Sequence, residues 1–191
     1  GNIMRLAAEE LDAAEQVKVV NSLNLSTGIG LLVVEAAIMA QNGACADEIV
    51  KHTTSLRPLV RASFVVDTLV YLHRGGRCSG LAALAGSALK LHPRIIVENG
   101  RMKPDKKYRG TIAKAILSYT KDMEPALLAA RKDRVFITHS GCDKEIVDAV
   151  RSYLESLQHF DEILETSAGG VISSHCGPGT LGVLFIARDS Q

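Results

Sequence analysis

Apolar residues recur along much of the chain at the spacing of one helix face. Residues 3–14 are rich in Ala, Leu and Glu, which are good helix formers. Residues 29–40 are apolar on almost every side, which predicts a helix that begins near Thr27 and is buried on more than one face. Two further amphipathic helices are predicted by the apolar sets Ile112, Ile116, Tyr119 and Met123, and Ile146, Val150, Tyr153 and Leu157.

Short runs of apolar and β-branched residues predict strands. One run, residues 17–20, stands alone between two predicted helices. About six more runs follow residue 58, at residues 60–67, 92–98, 101–108, 134–139, 161–166 and 183–187. Asn99-Gly100 predicts a tight hairpin between the second and third of these. Strands that alternate with helices and include a hairpin indicate an α/β layer with a mixed or antiparallel sheet.

The pattern changes near Pro58, which we take as a domain boundary. Residues 1–57 have a helix–strand–helix pattern, and one strand without a sheet partner is typical of an incomplete domain. We therefore predict the second part of an N-terminal α/β domain at residues 1–57 and a C-terminal α/β domain at residues 58–191. Within the latter, a helix of small residues is predicted at residues 79–90.

Composition narrows the class of protein. Of 191 residues, 47% are hydrophobic, which argues against disorder. The net charge of +1, from 22 basic and 21 acidic residues, gives no reason to expect nucleic acid as a partner. No apolar run reaches the roughly 18 residues that a membrane span needs. The four cysteines form no C-x-x-C pair, which favours reduced thiols and a cytoplasmic location.

The stretch from Ser173 to Ala187 carries the strongest candidate chemistry. Gly177, Pro178 and Gly179 predict a turn whose backbone N–H groups a ligand can approach closely. His175 stands at the edge of this turn, and an apolar strand follows it. The pattern indicates a polar head-group site resting on an apolar layer. The alternative is a tight turn with a surface histidine.

Two other stretches are candidate anion sites. Ser26-Thr27 opens a predicted helix, where N–H groups and the helix dipole favour an anion, although simple capping explains the same residues. Arg74 and Arg77 flank two glycines, an arrangement that suits a carboxylate, a phosphate or an acidic partner. Solvated arginines at a helix end are the alternative.

A run of basic residues lies on and just after the strand predicted at residues 101–108. We interpret it as a docking surface, or as protection of an edge strand against aggregation. The run consists of Lys103, Lys106, Lys107 and Arg109.

Histidines and cysteines allow a second class of function. His139, Cys142, His175 and Cys176 include zinc-ligand types, but their spacing does not match the paired loops of structural zinc sites. A small hydrolase or transferase using His175, His139 and Cys176 remains an alternative. The distance between the two histidines in the fold would distinguish these interpretations.

Several motifs together resemble one known family. His175-x-Gly177-Pro178-Gly179-x-x-Gly182, the segment 135–140 before it and the segment 64–77 are similar to motifs of the DegV family. Residues 107–110 and 26–32 follow in that family's order. The resemblance implies a two-domain protein that binds a long-chain fatty acid as its ligand, without another cofactor and without integral membrane contact. It also implies a binding subunit rather than an enzyme, which presents the acyl carboxylate to a separate fatty acid kinase in phospholipid synthesis.

The resemblance also suggests which residues carry the function. It implies ligand contacts from His175, Gly177, Gly179, Ser26, Thr27 and Arg109. It implies partner contacts from Arg74, Arg77 and Lys107.

The first residues depart from the family pattern. The family's Ser-Gly-Thr corresponds here to Gly1-Asn2, so the Ser is missing and Asn2 replaces the Thr. Those hydroxyls help to bind the carboxylate in the family. We therefore expect a fragment that lacks the N-terminal region, with weak or no acyl binding by these 191 residues alone.

Overall fold

The computed structural model describes residues 1–76 and 91–188, in which six strands form one sheet. The strands are β1 Val60–Val65, β2 Leu91–Glu98, β3 Arg101–Arg109, β4 Ala130–Ser140, β5 Glu162–Ser167 and β6 Thr180–Ala187. The helices are α1 Asn2–Glu10, α2 Thr27–Gln41, α3 Ala46–Leu56, α4 Val70–Arg74, α5 Ile112–Asp122, α6 Glu124–Leu128, α7 Lys144–Ser156 and α8 Gly170–Cys176. A short 3-10 turn, Arg57–Leu59, leads into β1. The predicted helix at residues 79–90 lies outside the described residues.

The strand order is β3-β2-β1-β6-β4-β5. Only the pair β4–β5 is parallel, so the predicted mixed sheet is confirmed. The predicted hairpin is also confirmed, because Asn99 and Gly100 both have positive φ, as a tight two-residue turn requires. The last strand, β6, lies in the middle of the sheet between β1 and β4.

Both faces of the sheet are covered, which explains why the central strand β6 is apolar and buried along almost its whole length. On one face, Leu181, Val183 and Phe185 of β6 join a core that includes residues of α5, α6 and α7. On the other face, Leu184 and Ile186 pack with residues of α2 and α3. The division of the chain at residue 57 therefore stays a prediction, since helices from before it and strands from after it share one core.

A buried carboxylate fixes α2 to the sheet. Glu35 accepts hydrogen bonds from Arg131 at 3.0 and 3.1 Å and from Arg134 at 2.8 Å. His52 of α3 lies 3.3 Å from the same carboxylate. Charge-assisted bonds of this kind are strong and directional, so the position of α2 over β4 is well defined.

Two expectations about the first 57 residues are wrong. Residues 17–20 form no strand in the structure, because neither edge of the sheet, β3 or β5, takes them as a partner. Helix α2 is not buried on more than one face, since Val33 is 58% exposed and Ile29 is 42% exposed. The buried side of α2 consists of Gly28, Leu31, Leu32 and Glu35.

Candidate functional site

The motifs at residues 107–110, 135–140 and 175–182 lie at one end of the sheet. There, β1, β3, β4 and β5 end and β2 and β6 begin, as the pairs Val65↔Leu181, Leu91↔Arg109 and Ser140↔Thr180 show. Strand ends are where loops bring polar side chains together. The sheet thus gathers residues that lie far apart in the sequence.

The glycine turn after α8 packs tightly against the protein itself. A Cβ on Gly177 would lie 2.2 Å from a ring carbon of Tyr71, so only glycine fits there. The Gly177 N–H donates to the Ser173 carbonyl, and the Gly179 N–H donates to the Ser140 carbonyl, each at 2.8 Å. These two N–H groups are therefore already engaged within the fold.

His175 lies on the last turn of α8, beside α4. Its Nδ1 is 2.8 Å from the Val171 carbonyl, so Nδ1 carries a proton and donates it. Its ring packs on Gly75, where an added Cβ would lie 2.5 Å from Cδ2. Arg74 precedes that glycine and is exposed. The structure thus brings His175 and the Arg74 segment together, and Arg77 lies outside the described residues.

A small cavity of about 30 Å³ lies between the sheet, α8 and the start of α2. Five hydroxyl-bearing residues line it, namely Ser26, Ser63, Thr138, Ser140 and Thr180. Apolar residues form the rest of the wall, among them Leu25, Phe64, Ile172 and Leu184. A cluster of hydroxyls above an apolar wall suits the polar head of an otherwise apolar molecule.

The hydroxyl of Thr138 is held between two others. It lies 2.5 Å from that of Thr27 and 2.9 Å from that of Thr166. A hydroxyl oxygen accepts two hydrogen bonds and donates one. When both neighbours donate to Thr138, its own proton is not used by either bond and can be offered to a further acceptor.

The start of α2 differs from the simple helix cap that the sequence allows. Ser26 is the N-cap residue, with a φ of 49°, but its side chain makes no capping hydrogen bond. Such a positive φ is uncommon for any residue other than glycine. A Cβ on Gly28 would lie 2.0 Å from Asn24 Oδ1, so the Asn24 side chain fills this turn instead. The Ser26 side chain is consequently available to the cavity that it lines.

Arg109 and Lys107 lie at the same end of the sheet but on its outer edge. Strands β2 and β1 separate their strand, β3, from β6, and neither residue lines the cavity. Both are exposed, and no carboxylate among the described residues pairs with either of them or with Arg74. By contrast, Lys103 binds Glu98 and Lys106 binds Asp122.

Among the described residues, neither Cys142 nor Cys176 has its thiol hydrogen-bonded to a histidine ring. Burial raises the pKa of Cys176 to about 11, so its thiolate is scarce at neutral pH. Burial, with a smaller effect of Asp143, raises the pKa of Cys142 to about 12. His139 faces Glu165 at 3.5 Å, whereas His175 binds a carbonyl. Across residues 1–76 and 91–188, no three His, Cys, Asp or Glu side chains converge as metal ligands would.

Sequence reasoning missed Thr138, Ser140 and Thr180, which line the cavity. Each is a single polar residue at the end of an apolar strand, as ordinary strand residues often are. Two signals pointed toward Thr138 and Ser140: both belong to the motif at residues 135–140, and their alternation at the end of β4 places both on the same face of the sheet.

No helix in the part of the chain that the structure describes has the length and apolar character to cross a bilayer.

Comparison with known proteins identifies one family that this chain resembles. The family model described as an uncharacterised protein of the DegV family matches residues 2–188. A DegV domain-containing protein of Caldanaerobacter subterraneus subsp. tengcongensis is 31% identical over 178 residues, which cover 93% of this chain and 63% of the relative. A fatty acid-binding protein of Thermotoga maritima is 32% identical over 179 residues, which cover 93% of this chain and 61% of the relative.

The fold has solved counterparts as well. A structure described as the fatty acid binding of a DegV family protein from Thermus thermophilus matches with a TM-score of 0.81 and 29% identity. The match covers 95% of this chain and 66% of that one. This chain therefore spans less than two thirds of the length of each of these relatives. Because the family model covers almost all of the 191 residues, the chain belongs to the DegV family.

Proposed function

We propose that the cavity at this end of the sheet binds the carboxylate of a long-chain fatty acid. The observation that carries the proposal is the hydroxyl group of Thr138, which lines an apolar cavity and has two hydroxyl neighbours. Burying an ionised carboxylate is costly unless donors replace its water. Ser26 and Thr138 would supply such donors, and Thr27 would hold the Thr138 hydroxyl in place by donating to it. His175, Gly177 and Gly179 would lie beyond the cavity wall, next to its Cys176 side.

The acyl chain must lie largely outside this cavity, because its volume is only about 30 Å³. A space of that size holds little more than a head group. Ile29 and Val33 continue along α2 from the turn that carries Ser26, and both are exposed. Exposed apolar side chains next to a polar pocket offer a path for an acyl chain. A chain left partly in water binds weakly, which agrees with the weak binding expected for these residues alone.

The same proposal includes a partner. Arg74, Lys107 and Arg109 are exposed cations, and the described residues offer them no carboxylate. Lys107 and Arg109 lie at the same end of the sheet as the Thr138 cavity, where the carboxylate of the fatty acid would face the partner. We propose that these cations contact a separate fatty acid kinase that forms the acyl phosphate. In this role the protein is a binding subunit and leaves the phosphoryl transfer to its partner.

Amide NMR with increasing myristate tests the binding site directly. Saturable shifts at Thr138, Cys176 and Thr180 are expected. Replacing Ala168, which lines the cavity, by Leu should abolish these shifts, because the added side chain fills a space of only about 30 Å³. Ala129→Leu is the matched control on an exposed alanine. Shifts that are absent, or that persist unchanged in Ala168→Leu, would place the lipid elsewhere.

A further inference from the structure

A second cavity lies at the opposite end of the sheet, where β1 begins. It has a volume of about 680 Å³. That volume is within the usual range for sites of small organic molecules. The ladder between β1 and β2 starts only at Ala62↔Val97, so Val60 and Arg61 have no partner in β2. This missing pairing opens a groove, which we call the arginine groove, between the start of β1 and the end of β2.

Three arginines line the arginine groove, and each is anchored by one nitrogen. Arg57 Nη1 donates to the Asn21 carbonyl, and Arg61 Nη1 donates to the Pro58 carbonyl. Arg94 Nη1 lies 3.3 Å from Asp105, and its guanidinium is stacked 5.6 Å from the centre of the Tyr119 ring. A guanidinium group held by one nitrogen still has N–H donors on its other nitrogens. Because its position is already fixed, it loses little conformational entropy when those donors bind an acceptor.

Two of these side chains have buried donors without an acceptor. Arg57 Nε and Arg94 Nε are both buried, and within the described residues neither has a hydrogen-bond partner. Unpaired buried donors are rare in folded proteins and call for a ligand or an ordered water. Among the described residues of the groove wall the one carboxylate is Glu98, which already binds Lys103. Arg94 is paired with Asp105, whereas no carboxylate of the described residues forms an ion pair with Arg57 or Arg61, so these two arginines leave the groove with an excess of positive charge.

Part of the remaining wall is apolar. Ile96, Met123 and Phe185 line the groove on the face that carries α5 and α6. Cations beside an apolar surface select a molecule that has an acidic group and a hydrocarbon part. From this arrangement we infer that the arginine groove is a second ligand site, separate from the cavity at Thr138, for a small amphiphilic anion whose acidic group is a carboxylate or a phosphate ester.

Amide NMR titrations with hexyl phosphate, hexanoate and neutral hexanol test the inference on the 191-residue protein. Saturable shifts near Arg61, Ile96 and Met123 are expected with at least one of the two anions and not with hexanol. Whichever anion binds more tightly identifies the acidic group. In the same spectra, amides near Thr138 and Cys176 report binding at the other end of the sheet. Failure of the fatty-acid proposal can therefore be distinguished from failure of the present inference.

Two variants locate the binding. Arg94→Gln should weaken it by about tenfold or more, because a charge-assisted donor is lost. Ala126→Phe should block the groove from the exposed side of α6 without changing an arginine. Arg5→Gln, an exposed arginine on α1, is the control. The inference is overturned if neither anion gives a saturable shift at the groove, or if Ala126→Phe, correctly folded, binds as well as the parent.

Discussion

The hydroxyl of Thr27 lies 2.5 Å from the hydroxyl of Thr138, although 111 residues separate them in the chain. This contact joins the first turn of α2 to the end of β4 at the edge of the candidate cavity. Neither residue alone suggests a binding site. Together with Thr166, they form a row of hydroxyls whose central member can donate to an anion.

Replacing Thr138 by Val should lower the affinity for myristate by about tenfold, because the variant keeps the shape but loses a donor to a charged group. Isothermal calorimetry or the NMR titration measures the change. Thr120→Val is the matched control, since Thr120 is also buried and its hydroxyl binds only within its own helix. Equal affinity in Thr138→Val and the parent would remove Thr138 from the site.

Replacing Glu35 by Gln should lower the free energy of unfolding by about 3 kcal/mol, because it leaves two arginines without their buried carboxylate. Urea unfolding followed by circular dichroism measures the loss. Glu155→Gln is the control, because Glu155 lies on the exposed face of α7. Surface changes of this kind alter stability by roughly 0.5 kcal/mol at most. A loss in Glu35→Gln no larger than in this control would show that other contacts hold α2 in place.

Asp122 should make stability depend on pH in the acid range. Burial alone would raise the pKa of Asp122, but hydrogen bonds from Lys106 and Tyr108 outweigh it and hold the pKa below its ordinary value of 3.8. A carboxyl whose pKa is lower in the folded state stabilises the fold above the unfolded pKa, and this contribution disappears as the pH falls through the folded pKa.

Asp122→Asn should therefore cost about 1 kcal/mol at neutral pH, a modest value because the side chain is partly exposed. The difference between the variant and the parent should shrink as the pH falls below about 4. Urea unfolding at pH 7 and at pH 3 measures both. A difference that stays the same at the two pH values would contradict the assigned role of the charge.

Replacing Arg109 by Ala should lower acyl-phosphate formation in an assay reconstituted with a fatty acid kinase, with little change in myristate affinity. The reason is its position on the outer strand, away from the cavity, with a guanidinium that no carboxylate of the described residues binds. Arg101→Ala, an exposed arginine at the other end of β3, serves as the control. Loss of lipid affinity instead would place Arg109 at the carboxylate itself.

Local signals in the sequence predicted most of the elements. The Asn99-Gly100 hairpin was predictable because both residues tolerate positive φ. The run at residues 17–20 has strand-like composition but no partner strand in the structure. Composition shows what a segment could form, whereas pairing depends on the rest of the chain.

The candidate cavity was only partly predictable, since its residues meet through long-range pairing. Ser26 and Thr27 were identified from the helix start, but the predicted capping by their side chains was wrong, because Asn24 fills that turn. Thr138 and Thr180 become neighbours of α2 and α8 only when β6 pairs with β4. No periodicity in the sequence contains that information.

The central position of β6 also has a consequence for synthesis of the protein. A nascent chain that has emerged only as far as β5 contains two separate half-sheets, β3-β2-β1 and β4-β5, each with an uncovered apolar edge. Uncovered strand edges pair readily with other chains. Until β6 inserts between them, the growing polypeptide is at its most vulnerable to aggregation and has the most need of a chaperone.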